Sequence, residues 1–153
     1  MKYYTVNNSL TWAGQTTTQI AAHVATDILL GSLNTPRDVL ISMGSNSIGG
    51  GFTQATMETD YGTVLDAINA AWPSARIFVT RSWIRNFDAG SDTHAAAVAA
   101  VLATRGAFAF DGPDERVILK GADNGATNTS DGVHANAAGA AALAADWMTR
   151  LGY

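Results

Sequence analysis

Asp131 and His134 stand three residues apart in Ser130-Asp131-Gly132-Val133-His134-Ala135-Asn136, a loop that opens onto the last apolar-periodic segment of the chain. A carboxylate beside an imidazole fixes the ring's tautomer and stabilises the imidazolium that forms as the ring accepts a proton. A ring held in this way is what a hydroxyl nucleophile needs as its general base. Taken alone the pair also has a plainer reading, a turn aspartate followed by a histidine that borders a helix cap. A second segment, Met43-Gly44-Ser45-Asn46-Ser47, directly follows an apolar run. An asparagine amide at a strand end can donate to a developing oxyanion, a role worth on the order of 3 kcal/mol. The alternative there is turn chemistry, for which Gly-Ser-Asn is ordinary.

Short apolar runs that alternate with segments of helical period must position these groups, a pattern that predicts an α/β layered fold. Tyr3 to Val6 reads as a first strand, and Thr16 to about Leu30 as a helix with Ile20, Val24 and Ile28 on one face. Asp38 to Met43 reads as a buried parallel strand, followed by a flexible Gly49-Gly50-Gly51 loop. A helix is expected from about Glu58 to Ala71, a strand over Arg76 to Thr80, and an alanine-rich helix from Thr93 to Arg105. Ala107 to Phe110 reads as a strand, and Val117-Ile118-Leu119 as a possible extra one. Asn136 begins a final helix with Leu143, Trp147, Met148 and Leu151 expected inward. The prediction is one domain over residues 1–153, a parallel sheet with helices on both faces. In such sheets a ligand site lies beyond the carboxyl ends of the strands. That directs attention to Asn7–Gly14, Gly44–Gly51, Arg81–Asn86 and the loop ending at His134.

Composition narrows the chemistry. The 153 residues are 47% hydrophobic and 14% charged, which reads as ordered and globular. A net charge of −4 without any Lys/Arg cluster argues against nucleic acid and anionic membrane surfaces as partners. The absence of cysteine excludes disulfides, thiolate metal sites and a cysteine nucleophile. There is no apolar run long enough for a transmembrane helix. The first residues lack the apolar stretch of a signal peptide, so the cytoplasm is the default expectation and the compartment stays open. His23 and His94 fall in predicted helices without an acidic pair at metal-ligand spacing, and structural roles are expected for both. Trp12 and Trp83 follow strands and could line a pocket, with core packing favoured for Trp83. Arg81 and Arg85 could meet a polar substrate, solvated surface arginines being the default.

Taken together, the two chemical segments resemble the SGNH (GDSL-like) hydrolase family. Val39 to Gly50 (VLISMGSNSIGG) resembles the family's third block, Gly-x-Asn-Asp after an apolar strand, and Asp131 to Gly139 (DGVHANAAG) its fifth, Asp-x-x-His-Pro-Asn. Ser47 stands where the family has aspartate, and Ala135 where it has proline. The resemblance implies a three-layer α/β/α sandwich of flavodoxin-like type, and a serine esterase that needs no cofactor or metal.

The family's Gly-Asp-Ser block is absent as such, and two alignments of Asn7 to Thr17 compete. In one, Asn7-Asn8-Ser9-Leu10-Thr11-Trp12 stands in for that block and Ser9 is the nucleophile. In the other, the stretch is the second block and Gly14 is a backbone oxyanion donor. A shortened arrangement with both blocks nearly back to back gives Ser9, Asp131 and His134 as catalytic residues, with Gly14 and Asn46 forming the oxyanion site. Ser47, Ser45 and Ser130 are the other serines considered, Ser47 foremost because it adjoins Asn46. A chain this short has little length for a lid, which favours short acyl groups, such as acetyl esters on small molecules or carbohydrates. Two alternatives remain: a binding domain that has lost the nucleophile block, and an assembly whose partner supplies the serine.

Overall fold

A computed structural model describes residues 14–31 and 35–153, with the side chains of 29–31 left out. The expected strand at Tyr3–Val6, and with it Ser9 and Trp12, lies outside the described residues.

The strands β1 (Asp38–Ile41), β2 (Arg76–Arg81) and β3 (Ala109–Asp114) form a parallel sheet in the order β1-β2-β3. In register, Val39 lies beside Ile77 and Ile41 beside Val79, so one face carries a continuous aliphatic row. Leu40, Phe78 and Phe110 make the matching row on the other face. The aliphatic face is covered by α1 (Thr17–Gly31), α3 (Gln54–Ala71) and α4 (Asp88–Arg105). Ile20, Val24 and Ile28 of α1 meet Met57, Tyr61, Val64, Leu65 and Ile68 of α3 in this core, with Val98 and Val101 of α4. The opposite face receives α5 (Ala137–Leu151), whose Trp147 stands edge-on to Phe78 at 6.4 Å between ring centres. Helices, sheet and helix make the three layers of an α/β/α sandwich.

Local chemistry explains most element ends. Thr53 caps α3 by accepting from the Thr56 N–H, and Asn136 caps α5 by accepting from Ala138 and Gly139. Gly152, at φ +86°, ends α5 in the left-handed conformation that glycine adopts without steric cost.

Several expectations are corrected. The residues after β1 are not simply a flexible glycine loop: Ser45–Gly49 form a short helix, α2, before the turn at Gly50-Gly51. The helices expected from Glu58 and Thr93 begin earlier, at Gln54 and Asp88. Val117-Ile118-Leu119 is not a strand but part of a π-helical turn, Arg116–Lys120. Val117 and Leu119, which a strand would place on one face, differ in burial, Leu119 being buried and Val117 74% exposed. Met148 does not face inward; it is half exposed, and Trp147 carries the contact to the sheet. No helix among the described residues is long and apolar enough to cross a membrane.

Candidate active site

Met43 is buried two residues beyond the end of β1, and its carbonyl is held from two sides. It accepts from the Tyr61 hydroxyl at 2.6 Å and from the Ser82 hydroxyl at 3.1 Å, tying the exits of β1 and β2 together. Gly44 follows at φ +114°, and a Cβ there would run into the His94 ring. His94 is fully buried, with Nε2 2.7 Å from the Tyr61 oxygen. Because the Tyr61 proton goes to Met43, the ring proton lies on Nε2, leaving Nδ1 a bare acceptor without a partner among the described residues. Burial lowers the pKa of His94 to about 4, so the ring is neutral. The expected structural role of His94 is therefore specific: with Tyr61 it shapes the turn that presents Asn46.

Asn46 is exposed, on α2, and one of its amide protons goes to the Gln15 carbonyl at 3.0 Å. An amide nitrogen carries two protons, and the second has no hydrogen-bond partner among the described residues. Gly14, the other expected oxyanion donor, precedes Gln15, is exposed and has φ +74°. The structure thus brings the Gly14 loop and Asn46 together. Ser47 is different: its hydroxyl is fully buried, accepts from the Thr17 N–H and donates to Thr17 Oγ1. A buried hydroxyl with both roles filled cannot serve as the nucleophile, which removes the foremost alternative to Ser9. Ser45 is half-buried beside it.

The Asp131 loop lies against the residues that follow β2. Asp131 Oδ1 accepts from the backbone N–H of Val133 and of His134, at 2.9 and 2.8 Å, and Oδ2 meets His134 Nδ1 at 2.6 Å. The His134 N–H, the ring hydrogen bond and the Val133 N–H hold the Asp131 carboxyl well below the usual carboxylate range. With Nδ1 donating to a carboxylate, Nε2 is the ring's acceptor. It has no hydrogen-bond partner among the described residues, and His134 is open to solvent, its side chain 77% exposed. Ser130 is also committed, donating its hydroxyl to the His134 carbonyl.

Sequence reasoning missed what anchors this loop. The Arg85 N–H donates to the Gly132 carbonyl at 2.8 Å, and its guanidinium reaches the Asn124 carbonyl and Thr129 Oγ1. Gly132 sits at φ +91°, and a Cβ there would come within 2.7 Å of Arg85 Cβ. The isolated bridge between Thr129 and Ala135 is made by the N–H groups of Ser130 and Asn136. The N–H of residue 135 takes no part, which is why alanine can stand at this position as well as proline. Arg85 is therefore not a free surface arginine but is bonded to the Asp131 loop and to Asn124. Arg81 bonds Asp111 at 2.6 Å. Trp83 is fully buried, as expected, its indole N–H donating to Asp88. His23 has an acidic neighbour that the sequence reading overlooked, Asp27 at 2.6 Å one helical turn on, and also meets Gln15.

The model for the GDSL-like lipase/acylhydrolase family matches residues 1–142. No curated protein matches the chain in sequence. Among solved structures, a family 3 carbohydrate esterase of Clostridium thermocellum is similar at TM-score 0.66 and 16% identity, covering 89% of this chain and 64% of that one. A carbohydrate esterase family 3 protein from Talaromyces cellulolyticus matches at TM-score 0.71 and 20% identity, over 90% of this chain and 67% of its own. An acetyl esterase mutant crystallised with acetate ion gives TM-score 0.73 at 19% identity, over 90% and 67%. The chain thus spans about two thirds of the length of these neighbours, and the likeness is one of fold.

Proposed function

Because the chain belongs to the GDSL-like lipase/acylhydrolase family, we propose that it hydrolyses carboxylic esters, with Asp131 and His134 as the acid–base pair. The observation that carries this reading is the 2.6 Å contact between His134 Nδ1 and a strongly acidic Asp131 carboxylate, which leaves Nε2 open as a base. In the proposed cycle a serine hydroxyl attacks the ester carbonyl as His134 Nε2 takes its proton. The oxyanion rests on the free Asn46 amide proton and the Gly14 N–H. The imidazolium, stabilised by Asp131, then gives its proton to the leaving alkoxide. Water attacks the acyl-enzyme with the same base assisting, releasing the acid and restoring the serine.

Ser9 is the serine proposed for this role. The buried hydroxyl of Ser47 and the committed hydroxyl of Ser130 support it by elimination. The structural likeness to an acetyl esterase and two carbohydrate esterases, together with the exposure of His134, makes acetyl esters the first substrates to try.

A second reading, motivated by the missing Gly-Asp-Ser block, is that the chain binds an ester or glycan without cleaving it. Hydrolysis of p-nitrophenyl acetate near pH 8 by wild type, Ser9→Ala and His134→Ala separates these readings. Ester hydrolysis with Ser9 predicts turnover that both variants lose by about 10³-fold or more. Activity surviving in Ser9→Ala alone moves the nucleophile elsewhere. A wild type no faster than buffer gives the binding reading the lead.

A further inference from the structure

Thr17 opens α1, and the first turn of any helix has backbone N–H groups without intrahelical partners. Here the Thr17 N–H is satisfied from another element, by Ser47 Oγ at 2.9 Å. The donations continue in one direction. Ser47 Oγ–H gives to Thr17 Oγ1 at 3.0 Å, and Thr17 Oγ1–H gives to Asp60 Oδ2 of α3 at 2.6 Å. Thr18 donates to the same carboxylate oxygen at 2.7 Å. Thr17 and Ser47 are fully buried and Asp60 is 7% exposed. A carboxylate against a helix N-terminus is also favoured by the helix dipole. Buried hydroxyls of this kind are costly to leave unmatched, so the acceptor at the end fixes the direction of the whole chain.

The chain of donations ends beside the oxyanion groups. Ser47 adjoins Asn46, whose amide donates to Gln15, the neighbour of Gly14. The Gly14–Thr17 and Asn46–Ser47 segments are thus pinned to each other on both sides, by Asn46 to Gln15 and by Ser47 to Thr17.

We propose that Asp60, acting through Thr17 and Ser47, is a positioning residue that holds Asn46 and the Gly14 loop in register to bind an oxyanion. Asp60 touches no substrate; its effect is on where the Asn46 proton points. The proposal rests on the ester-hydrolase reading above for its kinetic consequence, while its structural consequence stands apart from it.

The test compares wild type, Asp60→Ala, Asp60→Asn and Ser47→Ala by p-nitrophenyl acetate kinetics and by NMR. The expected kinetic result is a kcat lower by roughly tenfold to a hundredfold in Asp60→Ala and Ser47→Ala, with KM within about threefold, the size of effect a small misplacement causes. Asp60→Asn, which keeps the size and one acceptor oxygen, recovers part of the loss and guards against a variant that fails to fold. In the NMR spectrum the Asn46 side-chain amide resonances move and the Thr17 amide exchanges faster, while Ile77 and Val79 in the sheet stay protected. Variants that melt earlier but keep kcat and leave the Asn46 resonances unmoved would show a purely structural network and overturn the proposal. A wild type without esterase activity defeats the ester reading only. The NMR comparison then decides the clamp by itself, moved resonances upholding it and unmoved ones ending it.

Discussion

The Asp131 carboxylate accepts two backbone N–H groups and the His134 ring, so it stays ionised far into the acid range. Its charge is therefore present at every pH where His134 would act, and the ring's tautomer is set by a neighbour that does not titrate with it. Asp131→Asn removes that charge and offers the ring an N–H in its place, which favours the wrong tautomer. The expected result is a kcat lower by on the order of 10³- to 10⁴-fold with KM little changed, read from steady-state kinetics. Asn46→Ala removes one oxyanion donor and should lower kcat by about 10²- to 10³-fold. At this scale the sequence was informative where chemistry is local: Asp131 and His134 are three residues apart, and their contact needs only a turn. Ser47 stayed an alternative because its burial depends on Thr17 and Asp60, partners distant in sequence that no local pattern links to it.

Two elements carry the site, and each depends on a glycine. The turn after β1 passes through Gly44, packed on the His94 ring, and the Asp131 loop passes through Gly132, packed on Arg85. Gly44→Ala combines a left-handed backbone with a steric conflict and should destabilise the fold by roughly 3 kcal/mol, seen as a lower urea midpoint. Arg85→Ala keeps the backbone bond to Gly132 but loses the guanidinium bonds to Asn124 and Thr129. Faster amide exchange in residues 130–134 and a lower kcat are expected, with Asn46 resonances unchanged; unchanged exchange would mean Arg85 does not hold the loop. Helices with regular apolar spacing were legible, as Ile20, Val24 and Ile28 illustrate. The start of α4 was not, because Asp88-Ala-Gly-Ser-Asp lacks apolar spacing and is anchored by Trp83 and Lys120 bonding Asp88. The Val117–Leu119 run failed for the opposite reason, since a short apolar stretch has no period by which to tell a strand from a turn.

For the whole molecule, two titratable groups behind the site, the buried His94 and the half-buried Glu115, pull stability in opposite directions. His94 is lowered to about 4 from 6.5, so the unfolded chain binds the extra proton between these values. Its contribution is present above pH 6.5 and is lost as pH falls toward 4. Glu115, at the end of β3, accepts from the Trp83 N–H and is raised to about 7 by burial. The native state holds the proton there, so this contribution is present below about 4.5 and is lost as pH rises toward 7. The two slopes oppose each other between about pH 4.5 and 6.5, and denaturant unfolding of the wild type should vary little there. His94→Gln should leave stability that falls as pH rises, and Glu115→Gln stability that rises. The same slope in both variants would contradict the assignment. The layered α/β/α arrangement was readable from strand and helix alternation because each element's burial follows from its own spacing. These two groups were not, because their environment comes from several elements at once.

A serine hydroxyl activated by His134, with Asp131 behind the ring, is open to covalent trapping. The protein would be incubated with an organophosphonate ester and the adduct located by peptide mass spectrometry in wild type and His134→Ala. One adduct is expected, on Ser9, formed in wild type and strongly slowed in His134→Ala. An adduct on another serine would contradict the choice of Ser9, and no adduct in folded wild-type protein would contradict the serine-esterase account itself.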